Sequence, residues 1–163
     1  MIGIAGGPEK CTWVTEQAGF DACIDYHAED LREALRRHAP QGVDIYFDNV
    51  GGDILDDVLA RINRKARIVI CGAISQYNNT TPVQGPKNYL SLLANRARME
   101  GIIVFDYADR YPLAVAELAA YLKDGRMKSR EDVVEGGVAV FPETLGKLFS
   151  GANFGKLVLK VAA

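Results

Sequence analysis

Three stretches of this chain place glycine and hydrogen-bonding residues directly after an apolar run. They are Gly6-Gly7-Pro8-Glu9-Lys10, Asp48-Asn49-Val50-Gly51-Gly52 and Cys71-Gly72-Ala73-Ile74-Ser75-Gln76-Tyr77. Glycine lets backbone approach a ribose or a flat ring closely, and Asn49 offers both a donor and an acceptor. In a dinucleotide-binding sheet that prefers NAD, Asp or Glu at such a strand end holds the ribose hydroxyls. Here the first strand ends in glycines, which leaves room for a 2′-phosphate, and Lys10 stands a helical turn away to neutralise it. Each stretch also has an ordinary reading. Taken alone, Lys10 reads more readily as a solvated lysine at a helix start, and Asp48–Gly52 equally as a plain strand-to-helix turn. The Cys71–Tyr77 stretch, small residues and then hydroxyls, is weak evidence by itself.

Other chemistries leave no trace. The chain contains no Gly-x-x-x-x-Gly-Lys phosphate loop, no Gly-x-Ser-x-Gly elbow, no Tyr-x-x-x-Lys pair and no Gly-x-Gly-x-x-Gly fingerprint. Its two histidines, His27 and His38, sit in no zinc-ligand spacing, so no metal is expected. Cys11, Cys23 and Cys71 are odd in number and widely spaced, which reads as reduced packing thiols of a cytoplasmic protein.

The 163 residues, 48% hydrophobic and 25% charged with formal net charge -2, are the composition of one ordinary folded domain. No Lys/Arg run exceeds two residues, and no apolar stretch approaches membrane length. Neither a nucleic-acid partner nor a membrane is expected.

The elements that would position the three stretches follow from periodicity. Ile2–Ala5 reads as a strand, residues 9–18 as a helix stopped by Gly19, and Ala22–Tyr26 as a second strand. Asp30 caps a helix that carries Leu31, Ala34, Leu35 and His38 inward until Pro40. Val43–Val50 is a third strand, followed by a helix with Ile54, Leu55, Val58, Leu59 and Ile62 inward. Ala66–Ile74 is a fourth strand, and Ser75–Lys87 a long loop. A helix from Tyr89 leads to a fifth strand, Gly101–Tyr107, and Pro112–Lys123 is a helix expected to bury Val115, Leu118, Ala119 and Leu122. Apolar strands alternating with amphipathic helices predict an α/β fold, a parallel sheet between two helix layers. Beyond Gly125 the pattern changes to an extended segment (Met127–Glu135), a helix (Pro142–Ser150) and a strand (Gly155–Val161), which need not join that sheet.

Taken jointly and in order, IAGGPEK, IDY, YFDNVGGDILD, RIVICGAISQYN, RARMEGIIVFDY and GANFGKLVLKV resemble the zinc-independent medium-chain NADP-dependent reductases, the family of prostaglandin reductase, leukotriene hydroxydehydrogenase and the double-bond reductases. The resemblance covers essentially the whole chain. It implies NADP(H) as cofactor and hydride transfer to the β-carbon of an α,β-unsaturated ketone or aldehyde. It also implies roles: Lys10 on the 2′-phosphate, Tyr26 along the adenosine, and Asn49 near the ribose or nicotinamide. Cys71, Gly72, Ala73, Ile74, Ser75, Gln76 and Tyr77, the backbone of Ile102, Ile103 and Val104, and Asn153 would line the nicotinamide half. Tyr77 would stand near the substrate carbonyl as the catalytic residue.

Family members begin with a substrate domain and a first Rossmann strand, whereas this chain resembles them from the second strand onward. Residues 1–126 are therefore expected to be a partial Rossmann domain lacking its central strand and glycine-rich turn. Residues 127–163 would be a segment that completes the GroES-like substrate domain. The expected function is that of a fragment of an enone reductase, inactive alone; the other reading is a non-catalytic nucleotide-binding or self-associating module. The vacant sheet position would be repaired either by Ile2–Ala5 sliding beside Val43–Val50 or, as favoured here, by pairing in a homodimer.

Overall fold

A computed structural model describes residues 1–162. Its elements run β1 (Ile2–Ala5), α1 (Pro8–Glu16), β2 (Ala22–Asp25), α2 (Leu31–His38), β3 (Val43–Asp48), α3 (Gly52–Leu59), β4 (Ile62–Ile70), α4 (Leu90–Asn95), β5 (Arg98–Gly101), α5 (Tyr111–Lys123), β6 (Glu131–Val134), α6 (Phe141–Phe149) and β7 (Lys156–Leu159). All strand pairs are parallel, in three groups: β1-β2, β3-β4-β5 and β6-β7. The expected α/β class with parallel strands is what the chain adopts.

The local rules act as the sequence suggests. Pro8 opens α1, where its fixed φ is already helical, and Asp30 caps α2 by accepting the Glu33 N–H at 2.9 Å. The core collects Ile24 of β2, Leu31, Ala34 and Leu35 of α2, Leu55, Val58 and Leu59 of α3, and Ile62, Ala66 and Ile68 of β4. Ile2, Ile4, Val43 and Tyr46 pack against its edge, so the strand groups β1-β2 and β3-β4-β5 share one core through α2 and α3. Burying each large aliphatic side chain contributes about 1.5–3 kcal/mol.

Among the described residues, β1 pairs with β2 alone and β3 with β4 alone, so each keeps one edge without a strand partner. The sliding arrangement, with Ile2–Ala5 beside Val43–Val50, is not adopted. Ile45 and Phe47, on the face of β3 turned from the core, are 60% and 57% exposed.

Two expected strands and one expected burial are corrected. The fourth strand spans Ile62–Ile70 rather than Ala66–Ile74, because Ile62 leaves the helix to pair with Val43. At its other end the Cys71 and Gly72 N–H groups both turn to the Asp48 carbonyl, at 2.8 and 3.2 Å. The fifth strand is Arg98–Gly101 rather than Gly101–Tyr107: its neighbour stops at Ile70, whose carbonyl takes the Ile102 N–H at 2.9 Å, and the chain then coils into a 3₁₀ turn at Val104–Arg110. The helix at 111–123 forms as expected, yet Val115, Leu118, Ala119 and Leu122 stay exposed.

After Gly125, β6 and β7 pair with each other and with no other strand among the described residues. Lys147 Nζ reaches Asp132 at 2.7 Å, and the Phe154 N–H donates to the same carboxylate at 2.9 Å, tying α6 and the approach to β7 onto β6.

Candidate functional site

The turn after β1 is built by a strand it does not belong to. Asp25, at the end of β2 and paired in register with Ala5, accepts the Gly7 N–H at 2.9 Å and the His27 N–H at 3.0 Å through one carboxylate oxygen. The Gly7 hydrogen bond is the main cause holding the Asp25 carboxyl below its ordinary range. Gly7 itself has φ 94°, a left-handed conformation that glycine adopts without strain. A Cβ on Gly6 would lie 2.7 Å from His27 Cε1 and 3.1 Å from the Tyr26 hydroxyl, so the turn is glycine because these two rings close over it. Tyr26 and His27 pack edge to face at 4.3 Å.

Lys10, one turn into α1, donates from Nζ to the Gly151 carbonyl at 2.5 Å. This bond brings the loop that carries Asn153 against α1. Trp13 meets Phe154 edge to face at 6.4 Å, and the Arg130 guanidinium stacks over Phe154 at 3.6 Å. Asn153 holds its own loop, Nδ2 donating to the Gly155 carbonyl at 2.8 Å. The structure thus seats the Asn153 loop beside Lys10, at the end of the site where a 2′-phosphate is expected.

The second cluster forms where β3 and β4 end. Asp48 is fully buried, and its Oδ1 accepts from Val50 N–H at 2.8 Å, Gly51 N–H at 3.0 Å and the Tyr46 hydroxyl at 3.1 Å. Burial, and then the neighbouring Asp48 charge, push the Tyr46 phenol upward, so it remains a donor. The Asp48 Oδ2 atom is buried without a partner. Residues 71–77 then clamp onto this turn: Ile74 N–H donates to the Asn49 carbonyl at 3.1 Å and Ser75 Oγ to the Val50 carbonyl at 2.5 Å. A Cβ on Gly72 would stand 3.2 Å from the Asn49 carbonyl and 3.3 Å from the Tyr77 hydroxyl, which brings Asn49, Gly72 and Tyr77 into one group. The Tyr77 hydroxyl accepts the Ala73 N–H at 3.1 Å, leaving its own proton free on a side chain that is 61% exposed. Ile102 follows at the end of β5, with Ile103 and Val104 exposed beyond it.

Two groups result: Gly6 with Tyr26 and His27 at the end of β1, where α1 also holds Lys10 against the Asn153 loop, and Asn49 with Gly72 and Tyr77 where β3 and β4 end. Three participants escape a motif reading: Asp25, His27 and Asp48. The available signal was an Asp at a strand end just before the turn it organises, since short carboxylates bond backbone N–H groups two or three residues on.

The chain as a whole resembles known proteins. The model of the zinc-binding dehydrogenase family matches residues 1–120. The NADPH-dependent curcumin reductase of Escherichia coli is 41% identical over 99% of this chain and 48% of its own length. The 2-alkenal reductase (NADP(+)-dependent) of Nicotiana tabacum is 42% identical over 99% of the chain and 47% of its own. The crystal structure of CurA from Vibrio vulnificus in complex with NADPH superposes with a TM-score of 0.91 at 42% identity, covering 99% of this chain and 49% of that one. The chain spans about half the length of the curated relatives it matches. The matching family is described by zinc; among the described residues no three His, Cys, Asp or Glu side chains come together in a group that could hold a metal ion.

Proposed function

The chain belongs to the zinc-binding dehydrogenase family, and we propose that it binds NADP(H) as part of a reductase acting on the C=C bond of α,β-unsaturated ketones and aldehydes. The observation that carries this reading is the Gly6–Gly7 turn, with Lys10 beside it and with its neighbouring carboxylate, Asp25, turned to backbone N–H groups. Lys10, one helical turn on, is the cation a 2′-phosphate there would draw, exchanging its bond to the Gly151 carbonyl for the phosphate. Similarity to NADPH-dependent relatives supports the same reading.

Bound NADPH supplies the hydride. Lys10 gives charge-assisted hydrogen bonds to the 2′-phosphate, and Tyr26 flanks the adenosine. Gly51, Gly52 and Gly72 supply the close approach for the ribose and nicotinamide, with Asn49 as their hydrogen-bonding partner. Cys71 to Gln76 and Ile102 to Val104 complete the lining; Asn153, expected in the nicotinamide half, sits instead in the loop held beside Lys10. Tyr77, whose lone pair is used by Ala73 and whose proton is free, donates to the carbonyl oxygen of the enone and stabilises the enolate.

In this reading residues 1–126 are the dinucleotide-binding part and 127–163 belong with the substrate domain of a longer protein, and the 163 residues alone give no turnover. Support comes from the unpaired edges of β1 and β3 and the uncovered Ile45 and Phe47. The same apolar surface favours a second reading, a self-associating module that buries it in a homodimer. The test is NADPH oxidation with a simple alkenal, run on the 163-residue chain and on the longer protein, beside light scattering of the chain. Turnover by the longer protein alone supports the first reading; a dimeric chain that binds no cofactor supports the second.

A further inference from the structure

His27 stands in the first cluster without a part in the chemistry proposed above. It follows β2 closely in the chain, and its ring crosses to the turn at the end of β1. A Cβ on Gly6 would lie 2.7 Å from His27 Cε1 and 3.0 Å from Nδ1, whereas one on Gly7 would meet nothing within 4 Å. The imidazole thus covers Gly6 and borders open space over Gly7. The His27 N–H is held by Asp25 at 3.0 Å, and the Tyr26 ring packs against the imidazole at 4.3 Å, so the side chain starts from a fixed position. Among the described residues its ring nitrogens bond to nothing, and the side chain is exposed. Packing against Gly6 asks only for a flat ring, while an imidazolium adds two N–H donors and a charge.

The charges around the turn call for that cation. The Asp25 carboxylate lies against the Gly7 N–H, and Glu9 adds a second negative charge in the first turn of α1, with Arg130 3.7 Å from it. A phosphate monoester brings about 1.5 to 2 further negative charges at neutral pH, more than Lys10 alone offsets beside Asp25. We propose that His27 is a second specificity-determining residue for the 2′-phosphate: Lys10 seats the phosphate, and the protonated His27 ring donates to one of its oxygens over Gly7. The inference rests on the reading of this turn as the 2′-phosphate site. A phosphate beside an imidazole favours the protonated ring, so the bond is charge-assisted. The same charge acts on the carboxylate beneath the turn, where His27 helps the backbone N–H groups hold Asp25 below its ordinary range.

Adenosine 2′,5′-bisphosphate and AMP differ only in that phosphate, and both are titrated against the 163-residue chain and the longer protein. The ratio of the two affinities is the readout, because lost packing weakens both nucleotides alike. His27→Gln, which is neutral, should lower the ratio about three- to fivefold, the scale of an exposed ion pair. His27→Lys, which keeps a cation, should restore it. In a Lys10→Ala background His27→Gln should change nothing, since the phosphate is no longer seated. A second measurement holds even where the His27 variants do not fold. The chain has only two histidines, so the His27 ring resonance of histidine-labelled protein is told from that of His38, at the end of α2, by a His38→Gln sample. It should shift with the bisphosphate and not with AMP. An unchanged ratio in His27→Gln, equal weakening of both nucleotides, or a His27 resonance indifferent to the bisphosphate overturns the inference; where Lys10→Ala still lowers the ratio, the 2′-phosphate reading stands without it. Equal affinities in the unaltered proteins, or no binding by either, overturn the reading and the inference together.

Discussion

The Gly7 N–H donates to the Asp25 carboxylate at 2.9 Å, so the turn that ends β1 is held by the strand beside it. The Gly7 bond lowers the Asp25 pKa most, desolvation opposes it, and His27 assists. A depressed carboxylate stabilises the fold above its unfolded value, about 3.9, and that contribution is lost as the pH falls further through the folded value. Stability measured from pH 6 downward should therefore drop below about pH 4. Asp25→Asn, which keeps an oxygen acceptor but no charge, should flatten that part of the profile. Asp25→Ala should also weaken NADPH binding, since Gly7 loses its anchor.

Gly52 has φ 60°, and a Cβ there would lie 2.9 Å from Ser75 Oγ and 3.0 Å from Gln76 Nε2. Gly52→Ala should cost about 1–2 kcal/mol from the left-handed backbone alone, with further loss from the contact. Gly85→Ala is the control: nothing lies within 4 Å of its Cβ position and its φ is unremarkable. Denaturant midpoints of the two variants should separate clearly.

Tyr77→Phe removes the free proton and keeps the ring. Under the proposed chemistry the variant, made in the longer protein, should bind NADPH as the parent does while enone turnover falls about 100-fold. An equal loss of cofactor affinity would mean that the hydroxyl serves only its bond to the Ala73 N–H.

Much of the fold was legible because its signals are local. Glycine stops, the Asp30 cap and the aliphatic spacing of Leu31, Ala34 and Leu35 each act within a few residues. What escaped depends on neighbours. Ile62 keeps helical spacing with Val58 and Leu59, but Val43 claims it for the sheet. The apolar run Gly101–Tyr107 has strand composition, yet the paired part is Arg98–Gly101, because β4 ends at Ile70, opposite the first residue of the run. Val115, Leu118 and Leu122 carry a helical stripe whose partner is not among the described residues. The site divides the same way. Lys10, Asn49 and Tyr77 stand next to glycines that mark them, whereas Asp25 and Asp48 act through folded backbone N–H groups that the sequence alone does not locate.

Parallel titration of NADPH and NADH against the protein and its Lys10→Ala variant tests the central claim most directly. Charge-assisted bonds to the 2′-phosphate contribute about 1.5–3 kcal/mol, so NADPH should bind roughly tenfold or more tighter than NADH. Lys10→Ala should bring the two affinities together by weakening NADPH alone. Equal affinities in the unaltered protein, or tighter binding of NADH, would contradict the assignment of Lys10 and the cofactor with it.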